Sequence, residues 1–165
     1  MRVNQGISTQ NGFTMIELLI TVGIMILLFG GGVAAYLNLD RRQSLLNVCK
    51  EIASLSRTAQ KKARVGDRPG GCSKLQAYRV SRTATGPDRV SLQAICDSGV
   101  VTISNYDVPT VFTITTITSM DFRVLHGGLQ GGAGTILVQS AGPNYRCQFT
   151  VDNGGSIGNT SVTQY

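Results

Sequence analysis

Gly12-Phe13-Thr14-Met15-Ile16-Glu17-Leu18-Leu19 opens an apolar run in which Glu17 is the only charge before Asp40. The run from 18 to 39 holds 22 uncharged residues. As a helix rising ~1.5 Å per residue, it is long enough to cross a hydrocarbon core of about 30 Å. It is too long for the apolar region of a secretory signal, and no small-x-small cleavage site clearly follows it. The carboxylate at its head is the anomaly. A carboxylate near a bilayer core costs about 2.5–3.5 kcal/mol on insertion scales, and a plain anchor has no use for it. Glu17 therefore calls for a cationic partner.

Downstream of the apolar run the helical pattern persists but its character changes. Leu45, Val48, Ile52, Leu55, Ala59 and Ala63 recur at the spacing of one helix face. Lys50, Arg57, Lys61 and Arg64 fall on the opposite face, with Lys62 set off from both. The pattern predicts one helix, apolar all round in its first half and amphipathic to about residue 65. Gly30-Gly31-Gly32 is its expected weak point, since each glycine costs about 1 kcal/mol of helix propensity relative to alanine. Gly66, Pro69, Gly70 and Gly71 end the helix and open a loop.

Residues 66–165 are rich in Val, Ile, Thr, Ser and Gly, in short alternating segments broken by Gly and Pro. Strands are predicted at 75–82, 90–96, 100–104, 111–118, 120–125, 135–140 and 145–151, with a weak one at 161–165. Gly86-Pro87-Asp88 makes the first two a hairpin. The segment 126–134, with five glycines, is expected to be a flexible loop. The order gives an α+β chain: a long N-terminal helix, membrane-spanning in its first half and amphipathic in its second, packed on an antiparallel β-sheet domain. The four cysteines, Cys49, Cys72, Cys96 and Cys147, show no CxxC spacing, which disfavours zinc. Two disulfides have three connectivities to choose from, and buried free thiols are the other reading. The preferred pairing is Cys72 with Cys96 and Cys49 with Cys147. Cys147 shares a strand face with Tyr145, Phe149 and Val151, and Cys49 lies near the apolar side of the helix.

The segment from Gly12 to Glu17 resembles the cleavage and methylation signal of type IV pilins and type II secretion pseudopilins. The resemblance covers about the first 30 residues and combines Gly, Phe, Thr, an aliphatic residue, Glu and a long apolar stretch in one order. It implies a leader over 1–12, cut between Gly12 and Phe13 by a prepilin peptidase, with Phe13 N-methylated. The leader's only basic residue is Arg2. Glu17 would then be the fifth residue of the mature chain and would pair with the N-terminal ammonium of a neighbouring subunit during filament assembly. The resemblance further implies a filament-core helix over 13–39, its continuation over 40–65 and a globular domain over 66–165. That domain would lie outside the cytoplasm, anchored in the inner membrane until assembly with other pilin or pseudopilin subunits. Flanking charge does not favour this orientation, because Arg2 precedes the span while Arg41 and Arg42 follow it. The basic helix end Ser56-Arg57-Thr58-Ala59-Gln60-Lys61-Lys62-Ala63-Arg64 resembles the H-type minor pseudopilin and related minor pilins. So does the late strand closing on Asp152-Asn153-Gly154-Gly155, though this match is one of element order more than of residues.

The formal charge of +6 is uneven. Between 41 and 89, 12 Lys or Arg stand against Glu51, Asp67 and Asp88, a balance of +9; from 90 onward the balance is −2. Such a block attracts phosphates or anionic headgroups. DNA is therefore an alternative partner, through Arg57, Lys61, Lys62, Arg64, Arg68, Arg79, Arg82 and Arg89. A solvated helix face meeting neighbouring subunits is the preferred reading, since only Tyr78 interleaves the basic hairpin. A simple membrane-anchored periplasmic domain is the remaining alternative. No enzyme is expected. His126 is the only histidine, the glycine-rich stretch lacks a following Lys-Ser/Thr, and the acidic residues are scattered singly. No cofactor or metal is expected.

Overall fold

A computed structural model describes residues 12–84, 86–117, 119–142 and 145–164, apart from the side chains of Gly31 and Ala34. The chain divides into two compact units, Met1–Asp40 and Arg41–Tyr165. The leader expected over 1–12 lies, except for Gly12, outside the described residues.

The first unit is the opening part of helix α1 (Met15–Val65). Thr14 starts it: the Thr14 hydroxyl accepts a hydrogen bond from the Glu17 backbone N–H at 3.3 Å, satisfying one of the orphan donors of the first turn. Every described large apolar side chain of this part is exposed. The helix runs through Gly30-Gly31-Gly32 without a break, so the expected weak point does not interrupt it.

The second unit contains the rest of α1 and eight strands. The predicted stripe is its buried face: Leu45, Val48, Ile52, Ala59 and Ala63 are buried, joined by Cys49 and Ala53. Ser56 is also buried, and its hydroxyl donates to the Ile52 carbonyl, which removes the cost of hiding it. The helix ends in a double hydrogen bond, Gly66 N–H to the Ala63 carbonyl and Asp67 N–H to the Lys62 carbonyl. Gly66 has φ +67°, the left-handed conformation this termination needs and glycine supplies at least cost.

The strands are β1 (Leu75–Thr83), β2 (Arg89–Cys96), β3 (Gly99–Asp107), β4 (Phe112–Thr116), β5 (Ser119–Arg123), β6 (Gly134–Ser140), β7 (Tyr145–Val151) and β8 (Ser161–Gln164). They form two four-stranded sheets, in the orders β3-β2-β1-β5 and β4-β6-β7-β8, with every pairing antiparallel. The β1–β2 hairpin forms where expected. Strand β3 runs to Asp107, beyond the predicted end, because Asn105, Tyr106 and Asp107 pair with Ser91, Val90 and Arg89. Strands β4 and β5 are consecutive in sequence yet belong to different sheets: β5 returns to β1, and β4 pairs with β6. Tyr78 and Phe122 from the first sheet and Ile136 and Phe149 from the second are fully buried in one core with Leu45 and Ile52.

The sheet edges are guarded. Ile103 in β3 and Thr115 in β4 are extra residues opposite their partners, bulges that spoil a straight edge for docking. The outer side of β5 is covered by the glycine-rich segment. Arg123 N–H donates to the Gly128 carbonyl, Gln130 N–H donates to the Asp121 carbonyl, and Phe122 bridges Leu129. That segment is therefore not the free loop expected over 126–134; backbone hydrogen bonds fasten it to β5 and, through Leu129 N–H, to the Asn153 carbonyl. The contact with the facing turn requires glycine on both sides. A Cβ on Gly155 would lie 2.1 Å from the Gly127 carbonyl oxygen, and one on Gly128 would lie 2.9 Å from the Asn153 carbonyl oxygen. Neither approach tolerates a side chain.

Candidate functional site

The start of α1 is the first candidate. Gly12 and Phe13 precede the helix outside regular structure and are exposed, Phe13 81% so. Glu17 lies in the first turn, also exposed, on a helix otherwise apolar to Leu39. Thr14 and Glu17 have the spacing of a capping box, Thr-x-x-Glu, and a carboxylate there also suits the partial positive charge of a helix N-terminus. The sequence reading missed this role, although the spacing signals it. The bond formed is the one the Thr14 hydroxyl accepts from the Glu17 N–H; the Glu17 carboxylate makes no hydrogen bond among the described residues, and any test of intermolecular pairing must separate its charge from its place in this spacing.

The basic block is the second candidate, and the structure divides it. Arg79 makes a bidentate pair with Asp121, both bonds 2.7 Å. These bonds hold its guanidinium still further into the protonated range, against the opposing effect of burial. Arg82 donates to Asp88 at 3.0 and 2.8 Å, Arg89 to Asp107 and Lys62 to Asp67. The Asp67 hydrogen bond raises the Lys62 pKa. Half of the eight cations proposed for an anionic ligand are thus spent on carboxylates. Asp88 does more than neutralise Arg82. It is buried, its other oxygen accepts the Ile114 N–H at 2.7 Å, and its carbonyl accepts the Val108 N–H at 2.8 Å. It ties the β1–β2 turn to the second sheet. Arg57, Lys61, Arg64 and Arg68 form no ion pair among the described residues. Arg68 donates to the Ser73 carbonyl, and the Arg64 side chain lies across Gly127.

The four cysteines form two disulfides. Cys49–Cys147 fastens α1 to β7 in the second sheet, and Cys72–Cys96 fastens the loop after α1 to β2 in the first. His126 is exposed, its Nδ1 3.3 Å from the Val124 carbonyl, beside no nucleophile. Among the described residues no cluster of three His, Cys, Asp or Glu side chains has metal-binding geometry.

The class this architecture defines is an α+β protein: one long helix on two antiparallel sheets, tied by disulfides, with, among the described residues, one helix near the N-terminus long and apolar enough to span a membrane. Comparison with known proteins finds no matching family model, no matching curated protein and no matching solved structure.

Proposed function

We propose that this chain is a minor pilin or pseudopilin subunit. It would be made as an inner-membrane precursor, cut after Gly12 by a prepilin peptidase, N-methylated on Phe13 and assembled into a type IV pilus or type II secretion pseudopilus. The observation that carries the reading is Glu17: a lone carboxylate in the first turn of a helix whose following 22 residues carry no charge. In an apolar filament core, as in a bilayer, that charge is stable only when paired, and the free amine of a neighbour's Phe13 is the partner the cleavage would create. The exposed apolar surface of α1 before Asp40 supports the reading, because it needs lipid or other helices to cover it.

The first experiment is intact mass and N-terminal sequencing after co-expression with a prepilin peptidase. A product beginning at methylated Phe13 is expected; a chain still beginning at Met1 with its native peptidase returns the protein to a simple membrane-anchored domain. Glu17→Gln then isolates the charge of this side chain. Glutamine keeps the Thr-x-x-Glu/Gln capping geometry but removes the charge. The variant should insert and be cleaved normally yet fail to assemble. Normal incorporation into filaments would dispose of the pairing mechanism. DNA binding through the basic block remains the second reading, narrowed to the cations that lack a carboxylate partner.

A further inference from the structure

Leu125 has φ +68° and is the one described non-glycine residue in the left-handed region. The backbone here is fixed: the Leu125 N–H donates to the Ala63 carbonyl, 2.8 Å away, at the end of α1. No such bond accounts for the side chain. Glycine or asparagine occupies such a position at less cost, whereas leucine pays steric strain there. Yet Leu125 is 73% exposed. Val65, equally exposed, lines the same shallow groove of about 430 Å³, together with Gly66, Leu75, Val124 and the stems of Arg68 and Lys74. Two aliphatic side chains thus stand in solvent around a concavity at the C-terminal end of the helix.

The rim is basic. Arg68 and Lys74 line the groove. Neither has an ion-pair partner among the described residues. The nearby carboxylates are engaged elsewhere: Asp67 with Lys62, and Asp97 with Gln76. A phosphate backbone would use the cations but not the leucine and valine. A flat lipid surface would not fill the concavity. A protein segment that inserts an aliphatic side chain and surrounds it with carboxylates would use both.

We infer that this groove is a docking site for an acidic, aliphatic-bearing segment of a partner protein. The inference concerns a different surface from Glu17 and does not depend on filament assembly.

The test uses the full-length chain in nanodiscs of neutral lipid and a synthetic peptide alternating glutamate and leucine. The peptide should bind with an affinity that falls as salt rises, and an all-glutamate peptide should bind more weakly. Leu125→Gly is the decisive variant, because glycine suits φ +68° and the backbone cap survives. It should fold at least as well as the parent and lose affinity about tenfold, the usual cost of removing a central anchor. Arg68→Glu with Lys74→Glu should abolish binding without moving the unfolding midpoint appreciably. Three results would overturn the proposal: no binding of the peptide at low salt, binding unchanged in Leu125→Gly, or tighter binding of duplex DNA or phosphatidylglycerol vesicles than of the peptide.

Discussion

Before Asp40 and after it, α1 has one backbone geometry and two opposite surfaces. Ile26 is 67% exposed and Ile52 is fully buried, although both are helical isoleucines. The early part has no buried face and so contributes nothing to the core of its own chain; the later part supplies Leu45, Cys49, Ile52, Ala59 and Ala63 to it. A helix apolar on all sides stores its hydrophobic free energy for another environment, whereas an amphipathic one uses it in folding. Only the later part carries the stability of the fold, a distinction that experiment can break.

The largest effect should come from the bond that holds the buried part. Replacing Cys49 and Cys147 together by alanine should lower the unfolding free energy of the second unit by about 3–5 kcal/mol, since the bond closes a loop of 98 residues. Urea unfolding of the full chain in detergent, followed by tyrosine fluorescence, measures it. An effect below 1 kcal/mol would mean that packing alone seats the helix. Next, Ile52→Ala should cost about 2–5 kcal/mol and Ile26→Ala nearly nothing in the same assay. Equal effects would erase the distinction between the two parts. Gly155→Ala should cost about 1–3 kcal/mol, because the new Cβ would stand 2.1 Å from the Gly127 carbonyl oxygen at a residue with φ +79°. It should act without any change in membrane insertion.

The smallest effect is one of pH, and it belongs to the buried part alone. Burial, more than any neighbouring charge, holds the Tyr78 phenol above the ordinary tyrosine value, and its hydroxyl donates to the Asp67 carbonyl at 2.7 Å. Lys62 is likewise raised, by its hydrogen bond to Asp67. A raised folded-state pKa gives stability that is complete below the unfolded value and lost as pH climbs through the folded one. The second unit should therefore weaken on the alkaline side of about pH 10. Tyr78→Phe should flatten that decline while losing one hydrogen bond at neutral pH. An alkaline profile unchanged by the substitution would assign the decline to other groups.

Much of this was readable from local pattern. The 3.6-residue spacing from Leu45 to Ala63 marked the buried face, Gly66 marked the helix end, and Gly86-Pro87-Asp88 marked the first hairpin. The cysteine pairing that was preferred is the one the structure holds, because Cys147 alternates with buried Phe149 and Cys49 lies on the helix stripe. What local pattern could not supply was partners distant in sequence. Nothing near β4 or β5 says that they belong to different sheets; that follows from β5 pairing back to β1. The charge of Arg79 and Arg89 looked available because Asp121 and Asp107 lie far along the chain. The glycines at 127 and 128 read as freedom, whereas the Arg64 side chain packed over Gly127 and the Asn153 carbonyl against Gly128 make them a requirement of close packing. The start of α1 is legible as a motif, and the Thr14–Glu17 spacing within it signals the bond that the Thr14 hydroxyl accepts from the Glu17 N–H.

The longer disulfide also bears on the order in which the molecule is completed. Cys49 leaves the ribosome early, on the later part of α1, and its partner lies on β7. No chain cut short before β7 can close that bond. An oxidised Cys49–Cys147 therefore marks chains synthesised at least through β7, and separates them from copies cut short before that strand.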